Sequence, residues 1–399
     1  MNSLRPLLAL ILMSNMLVFS ACEINSSEDC LQEIITDPNY FSVDRVLSNN
    51  CPKQQGIDYI LTGNQTYTIS ANVFIEAGTI IEIEDSAALV IASTGTLQAT
   101  GTATEPIIIR GHYKSTGHWR GLFVRSSSAL NQLQQVQLED AGGAPLSGET
   151  ARGAVVLLDQ GKIALNNTQI KNSASYGVHL ASATASLSEM NNTSISTSVA
   201  PVRLHTTQAD NFGQGNDFSG NQKKYLEFCI LPFTNESHTW SKVNVPYRLM
   251  PLDSNSSSIQ SLAGASSLSI APGTTFEMAG GTGFSVRDVS QLTVVGTATE
   301  PILFTGTVKD YSTWEGFEFR FTQQDNRFER VRIEHAGNQG GVIYMWGDPK
   351  ITFNWIEFTY SSSCAFYDAP KTSSQAINSN LFLSNMDYYF VNAQYCKGS

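Results

Sequence analysis

Charge is scarce in this 399-residue chain. Charged side chains make up 15% of it, well below the quarter usual for soluble domains. A helical bundle needs Glu and Lys on its solvent faces, so the deficit argues against one. Basic residues are the scarcer sign, 24 against 35 acidic, for a net charge of −11. With no basic run, nucleic acid is a poor partner. Cysteine is sparse at six, with no Cys-x-x-Cys spacing. No His/Cys cluster offers a metal site, so no metal and no cofactor is expected. No helical i, i+3, i+4, i+7 pattern is sustained beyond the N-terminal run. Ser and Thr take the place of charge, at about a fifth of the chain. Hydrophobic residues at 41% suffice for a packed core and exclude wholesale disorder. Together these features suit strands and turns.

The N-terminus reads as an address. Leu7 to Phe19 form an apolar run behind Arg5, too short for a bilayer span and right for a signal h-region. Phe19-Ser20-Ala21-Cys22 resembles the bacterial lipobox, with Phe19 in place of the usual Leu. The resemblance implies cleavage before Cys22 and its acylation. An ordinary secretory signal is the alternative. The following Glu23-Ile24-Asn25-Ser26-Ser27-Glu28-Asp29 resembles the surface-export signal of Bacteroidetes lipoproteins, and reads equally as a solvated tether. The expected location is the outer membrane or cell surface, with the bilayer engaged through Cys22. Export to an oxidising compartment predicts disulfides. Cys30 with Cys51 and Cys364 with Cys396 are the candidate pairs, leaving Cys229 as a buried thiol.

The chain repeats at two scales. Gly101-Thr102-Ala103-Thr104-Glu105-Pro106-Ile107 recurs as Gly296-Thr297-Ala298-Thr299-Glu300-Pro301-Ile302, an offset of 296 − 101 = 195. Trp119-Arg120-Gly121 and Trp314-Glu315-Gly316 share that offset, as do Glu139-Asp140-Ala141-Gly142 and Glu334-His335-Ala336-Gly337. An extra loop follows in the first copy, around Gly143 to Arg152. Within each copy lies a period of 25, as in Asn166-Asn167-Thr168 and Asn191-Asn192-Thr193. Short alternating strands broken by Gly, Asn, Ser and Asp fill the intervals.

A period near 25 with three short strands suits one coil of a right-handed parallel β-helix, each strand pairing with its counterpart one coil on. Matched Asn residues at turns favour side-chain ladders. The expected fold is all-β, a right-handed parallel β-helix solenoid built from two tandem sequence copies. The expected layout is a signal peptide at 1–21, a tether and cap at 22–55, and copy one at 56–212. A connecting segment of further coils follows at 213–250, then copy two with a C-terminal cap at 251–399. Roughly 14 coils, on the order of 65 Å, follow from the period.

The run Ala77-Gly78-Thr79, Leu97, Gly101-Thr102, Pro106-Ile107 and Trp119-x-Gly121 resembles the right-handed β-helix lipoproteins of Bacteroidetes, within the wider pectin-lyase-like fold. Hydrolases of that fold resemble one another in Asn-Thr-Asp, Asp-Asp, Gly-His-Gly and Arg-Ile-Lys motifs. Here Asn192-Thr193 is followed by Ser194, Gly117-His118 by Trp119 and Arg332-Ile333 by Glu334, and no Asp-Asp occurs. The carboxylate pair of glycoside hydrolysis is therefore not visible. A lyase needs a basic residue, and basic residues are scarce.

Glu334 and His335 are the best ionisable doublet for acid–base work, although neighbours in a strand face opposite ways. Trp119 and Trp314 read as rings packed on the turn that the nearby Gly permits. Tyr344 and Trp346, two apart, share one strand face. With Asp348, Asn354 and Trp355 they form a candidate sugar-stacking platform if they face outward, and core filling if they face inward. The leading expectation is a lipid-anchored surface β-helix that binds or displays toward a glycan or cell-surface protein without catalysis. A polysaccharide lyase or glycoside hydrolase is the runner-up, and an adhesive stalk without a defined ligand is the third reading.

Overall fold

The computed structural model describes residues 30–51, 56–337, 341–347, 349–361 and 364–368, with short strands at Leu381–Phe382, Tyr389–Phe390 and Gln394–Lys397. The apolar N-terminal run, Cys22, the acidic stretch after it and Asp348 lie outside the described residues, as does the side chain of Cys396.

The chain winds as a parallel β-helix of about 12 turns. Each strand lends its backbone edge to the strand one coil on, as Ala88–Ile91 does to Gly121–Val124. Helix among the described residues is confined to two 3-10 segments, Tyr40–Ser42 and Thr206–Asn211. The turns number fewer than the 25-residue period predicts because the coils differ in length. Leu226 pairs with Tyr247, 247 − 226 = 21 residues on. Leu89 pairs with Leu122, 122 − 89 = 33 residues on. Loops at the corners absorb the difference. The loop carrying Leu146 and Ala151 folds over the outer surface of one face, covering Val90, Phe123 and Val156.

Three faces run along the first half. The first holds seven strands from Glu33–Ile35 to Ser194–Ser196, and the third holds six from Arg45–Leu47 to Ser186–Asn191. The second contains Gly121–Val124, Gly153–Leu157, Tyr176–Leu180 and Ala200–His205. After Ala200–His205 the 3-10 turn and single bridges at Phe212 and Asp217 complete a coil. Leu226–Ile230 then continues the second face, followed by Tyr247–Pro251, Thr275–Met278 and Ile302–Gly306. Ile107–Gly111, 195 residues before Ile302–Gly306, lies on the first face. Matching segments are therefore displaced by one face. A new seven-stranded sheet begins at Phe233–Thr234 and includes Gly316–Arg320 and Ile343–Trp346.

Alternation along each strand sends one side chain inward and the next outward. Inward side chains stack from coil to coil. In the first half the stack is Ile81, Ile109, Leu138, Ile170 and Ile195, all buried. In the second it is Tyr247, Phe276, Phe304, Ile333 and Phe358. Phe276 and Phe304 lie face to face with centroids 4.9 Å apart.

Local bonds recur at matched positions. Trp119 and Trp314 are fully buried, and their indole N–H groups donate to Glu139 O and Glu334 O at 2.8 Å each. Asn131 Oδ1 accepts from Leu97 N at 3.0 Å, and Asn326 Oδ1 from Leu292 N at 2.8 Å. Asn191 Nδ2 donates to Asn166 Oδ1 of the preceding coil at 2.9 Å. Cys30 and Cys51 are disulfide-bonded, closing a loop near the N-terminal end. Cys364 also carries a disulfide, and Cys229 is a free, buried thiol.

Candidate functional site

At two corners of the coil the chain turns through a residue in the left-handed region. In the first half one corner carries Gln135, Asn167 and Asn192, with φ of 54°, 48° and 46°. The other carries Asp140, Asn172 and Thr197, with φ of 66°, 60° and 51°. Short polar side chains suit this conformation because they bond neighbouring backbone. In the second half the sequence-matched corners, displaced by one face, hold larger groups. One has Arg330 (φ 53°) and Trp355 (φ 58°), the other His335 (φ 63°) and Tyr360 (φ 51°). A bulky side chain there is strained by about 1–2 kcal/mol. Strain of this kind concentrates at functional sites.

The corners flank an outer strip. Asn326–Glu334 and Ile351–Thr359 pair in register, so Arg332 faces Glu357 and Glu334 faces Thr359 on the outside. Val331, Ile333, Ile356 and Phe358 are buried beneath. On each strand four residues separate the corners, which lie five steps or roughly 16 Å apart at about 3.3 Å per residue. At one end the Arg330 guanidinium lies 3.9 Å from the Trp355 ring centroid. At the other the His335 and Tyr360 rings lie nearly parallel, 5.4 Å apart. Trp355 is 45% and Tyr360 52% exposed. A groove of about 820 Å³ opens beside Trp355, walled by Thr297, Ala298 and Pro301 and crossed by Arg332 and Glu357.

The strip's charges differ in how far they are satisfied. Arg332 donates twice to Glu357, at 2.9 and 2.8 Å. That bonding outweighs partial burial and raises the Arg332 pKa. Glu334 accepts from Thr305 Oγ1 at 2.8 Å, and Lys309 Nζ donates to the same hydroxyl at 2.7 Å. Arg330 has no carboxylate at ion-pair distance among the described residues. It is a half-buried guanidinium with donors to spare, although the chain carries an excess of carboxylates.

The predicted residues fall in two places. Tyr344 and Trp346 point outward on the seven-stranded sheet, away from the strip. Tyr344 stacks on Tyr367 at 5.3 Å, and Trp346 is 40% exposed beside Phe321 and Arg320. A smaller groove of about 340 Å³ lies against Tyr344, Glu318 and Arg320. Asn354 is half-buried on the strand that leads into the Trp355 corner. No ring contact among the described residues joins Trp355 to Tyr344 or Trp346. Glu334 and His335 diverge: Glu334 faces the strip, while His335 donates from Nδ1 to Asp310 O at 2.9 Å and is 6% exposed. Arg330, Arg332, Glu357 and Tyr360 carry no recognisable motif, and only their place beside the corners brings them together.

Elsewhere a charged row crosses the junction between the halves. His179, Arg203, Glu227, Arg248 and Glu277 occupy successive coils in register. Burial pushes Glu227 upward, but bonds from Lys223, Tyr176 and Arg203 outweigh it and leave its pKa lowered. Burial lowers His179 and His205 to about 4 and pushes the Cys229 thiol up to about 11. Among the described residues no group of three or more His, Cys, Asp or Glu is placed to hold a metal ion.

Residues 46–154 match the family described as a pectate-lyase like beta helix domain. The match lies wholly in the first half and stops short of the strip. No curated protein and no solved structure matched the chain. Match and architecture together support a pectin-lyase-like parallel β-helix.

Proposed function

We propose that this chain is a lipid-anchored, surface-displayed β-helix that binds glycan on the outer strip between the Arg330–Trp355 and His335–Tyr360 corners. The carrying observation is the presence of Trp, Tyr, Arg and His at strained corners that the first half fills with Gln, Asn, Asp and Thr. Exposed rings at both ends offer stacking faces for sugars, and Arg332, Glu334 and Glu357 offer donors and acceptors between them. Arg330 favours a sugar that bears a carboxylate or sulfate, since its guanidinium lacks an acidic partner. Anchoring rests on the lipobox-like Phe19-Ser20-Ala21-Cys22.

The test is an oligosaccharide array probed with the full chain and with Trp355→Ala. The expected result is retention of a saccharide class by the parent and its loss in the variant, with no change in far-UV circular dichroism. Equal retention by both would sink the strip as the site. For the anchor, Cys22→Ser is expected to release the protein from membranes, and a variant that stays bound refutes acylation there.

The lyase reading draws on the family match and on Arg332, a cation on the outer surface. Against it, Glu357 holds Arg332 in its protonated form, which cannot accept a proton. Unsaturated products from a uronate polymer, lost on Glu334→Gln, would favour the lyase over the binder.

A further inference from the structure

We propose that His205, Cys229 and Met250 form a site for a soft monovalent cation of the Cu(I) or Ag(I) class, on the outer side of the second face. The three share one outward row. His205 is in register with Cys229, and Cys229 with Met250. Successive coils lie about 4.8 Å apart, so side chains from neighbouring coils can converge on a single ion.

The row is sealed. His205 is 1% and Cys229 0% exposed, and Met250 is half-buried. Arg203 Nη2, from the neighbouring row, donates to Leu252 O at 2.8 Å. That bond draws the segment after Met250 back across two coils. Neither ring nitrogen of His205 has a hydrogen-bond partner among the described residues. A buried imidazole without partners bears an unrelieved desolvation penalty, and native proteins seldom retain one without a reason. The adjacent charges do not relieve it. Arg203 is bonded to Glu227 and Leu252 O, and Glu227 also to Lys223 and Tyr176. Cys229 is a free thiol.

The chemistry of the row selects the ion. Thiol, thioether and imidazole together suit Cu(I) and Ag(I), whereas hard divalent cations need carboxylates, and none stands in this row. Binding replaces the Cys229 S–H bond with a metal–sulfur bond and releases that proton to solvent. Oxidation state does not change.

The full chain is titrated with Ag(I), which needs no reductant and so leaves the Cys30–Cys51 disulfide intact. The ion is added to the folded protein and, separately, during refolding. One equivalent is expected to raise the thermal midpoint and release one proton. Cys229→Ala should abolish the response, His205→Leu should abolish or reduce it a hundredfold in affinity, and Met250→Leu should weaken it about tenfold. If His205→Leu fails to fold, Cys229→Ala and Met250→Leu carry the test. A parent protein silent in both additions overturns the site. So does an undiminished response in Met250→Leu and in any folded His205→Leu, which would leave a lone thiol.

Discussion

The two halves turn sequence-matched corners with different side chains. Gln135, Asn167 and Asn192 against Arg330 and Trp355, and Asp140, Asn172 and Thr197 against His335 and Tyr360, share one backbone conformation. Asn167, Asn192, Asp140 and Asn172 suit that conformation, whereas Trp355 and Tyr360 are strained by it. The interior differs in parallel: Ile81, Ile109 and Leu138 stack in one half, Phe276 and Phe304 in the other. The lesson is that a solenoid can hold its backbone constant at a corner while the side chain there changes from amide or carboxylate to aromatic or guanidinium.

The largest expected effect concerns the interior. Phe304→Ala should cost about 3–5 kcal/mol, and Ile109→Val at the matching position about 0.5–1.5 kcal/mol. Urea unfolding of the two variants checks the contrast, and equal costs would mean the aromatic stack adds nothing. Next is the strip. Trp355→Ala should weaken saccharide binding at least tenfold, about 1.4 kcal/mol, by titration calorimetry. A smaller change would place the recognition surface elsewhere, with Tyr344 and Trp346 the next candidates.

The charged row across the junction gives a pH dependence. Burial holds His179 at about 4 in the fold, against roughly 6.5 unfolded. Between those values the unfolded chain binds the extra proton. Stability from this group is therefore complete above about pH 6.5 and is lost as pH falls toward 4. His205 shares the lowered value, so His179→Leu should reduce the slope of the thermal midpoint over that window without abolishing it, and an unchanged slope would show that His179 does not contribute. The smallest effect separates strain from function. Trp355→Asn removes about 1–2 kcal/mol of left-handed strain and loses about 0.5–1 kcal/mol of cation–π contact. The net is a gain of about 0.5 kcal/mol by denaturant titration, together with loss of binding. A variant less stable than the parent would mean that Trp355 is there for packing.

The coil was legible because its signals are local. Alternation in Val136–Glu139, Asn at 166 and 191, and Trp-x-Gly at 119 and 314 each report a strand, a ladder or a turn directly. The Cys30–Cys51 pairing, expected from the resemblance of the N-terminus to an export signal, is present. The one-face displacement was hidden, because Leu226–Ile230 is buried at every position and reads like any other strand. The coil number was overestimated because Leu146 and its loop count as chain without adding a turn. The corner site was hidden for a deeper reason. Trp and Tyr seldom adopt positive φ, so nothing in Asn354-Trp355-Ile356 announces a corner. Tyr344, Trp346 and Trp355 are close in sequence, but the coil carries them onto different sheets.

The most direct measurement swaps the corners themselves. Arg330→Gln, Trp355→Asn, His335→Asp and Tyr360→Asn together give the second half the residue types of the first. The quadruple variant should fold with an unchanged circular dichroism spectrum and retain no saccharide that the parent retains on an array. Undiminished retention by a folded quadruple variant would contradict the assignment of this strip as the binding surface.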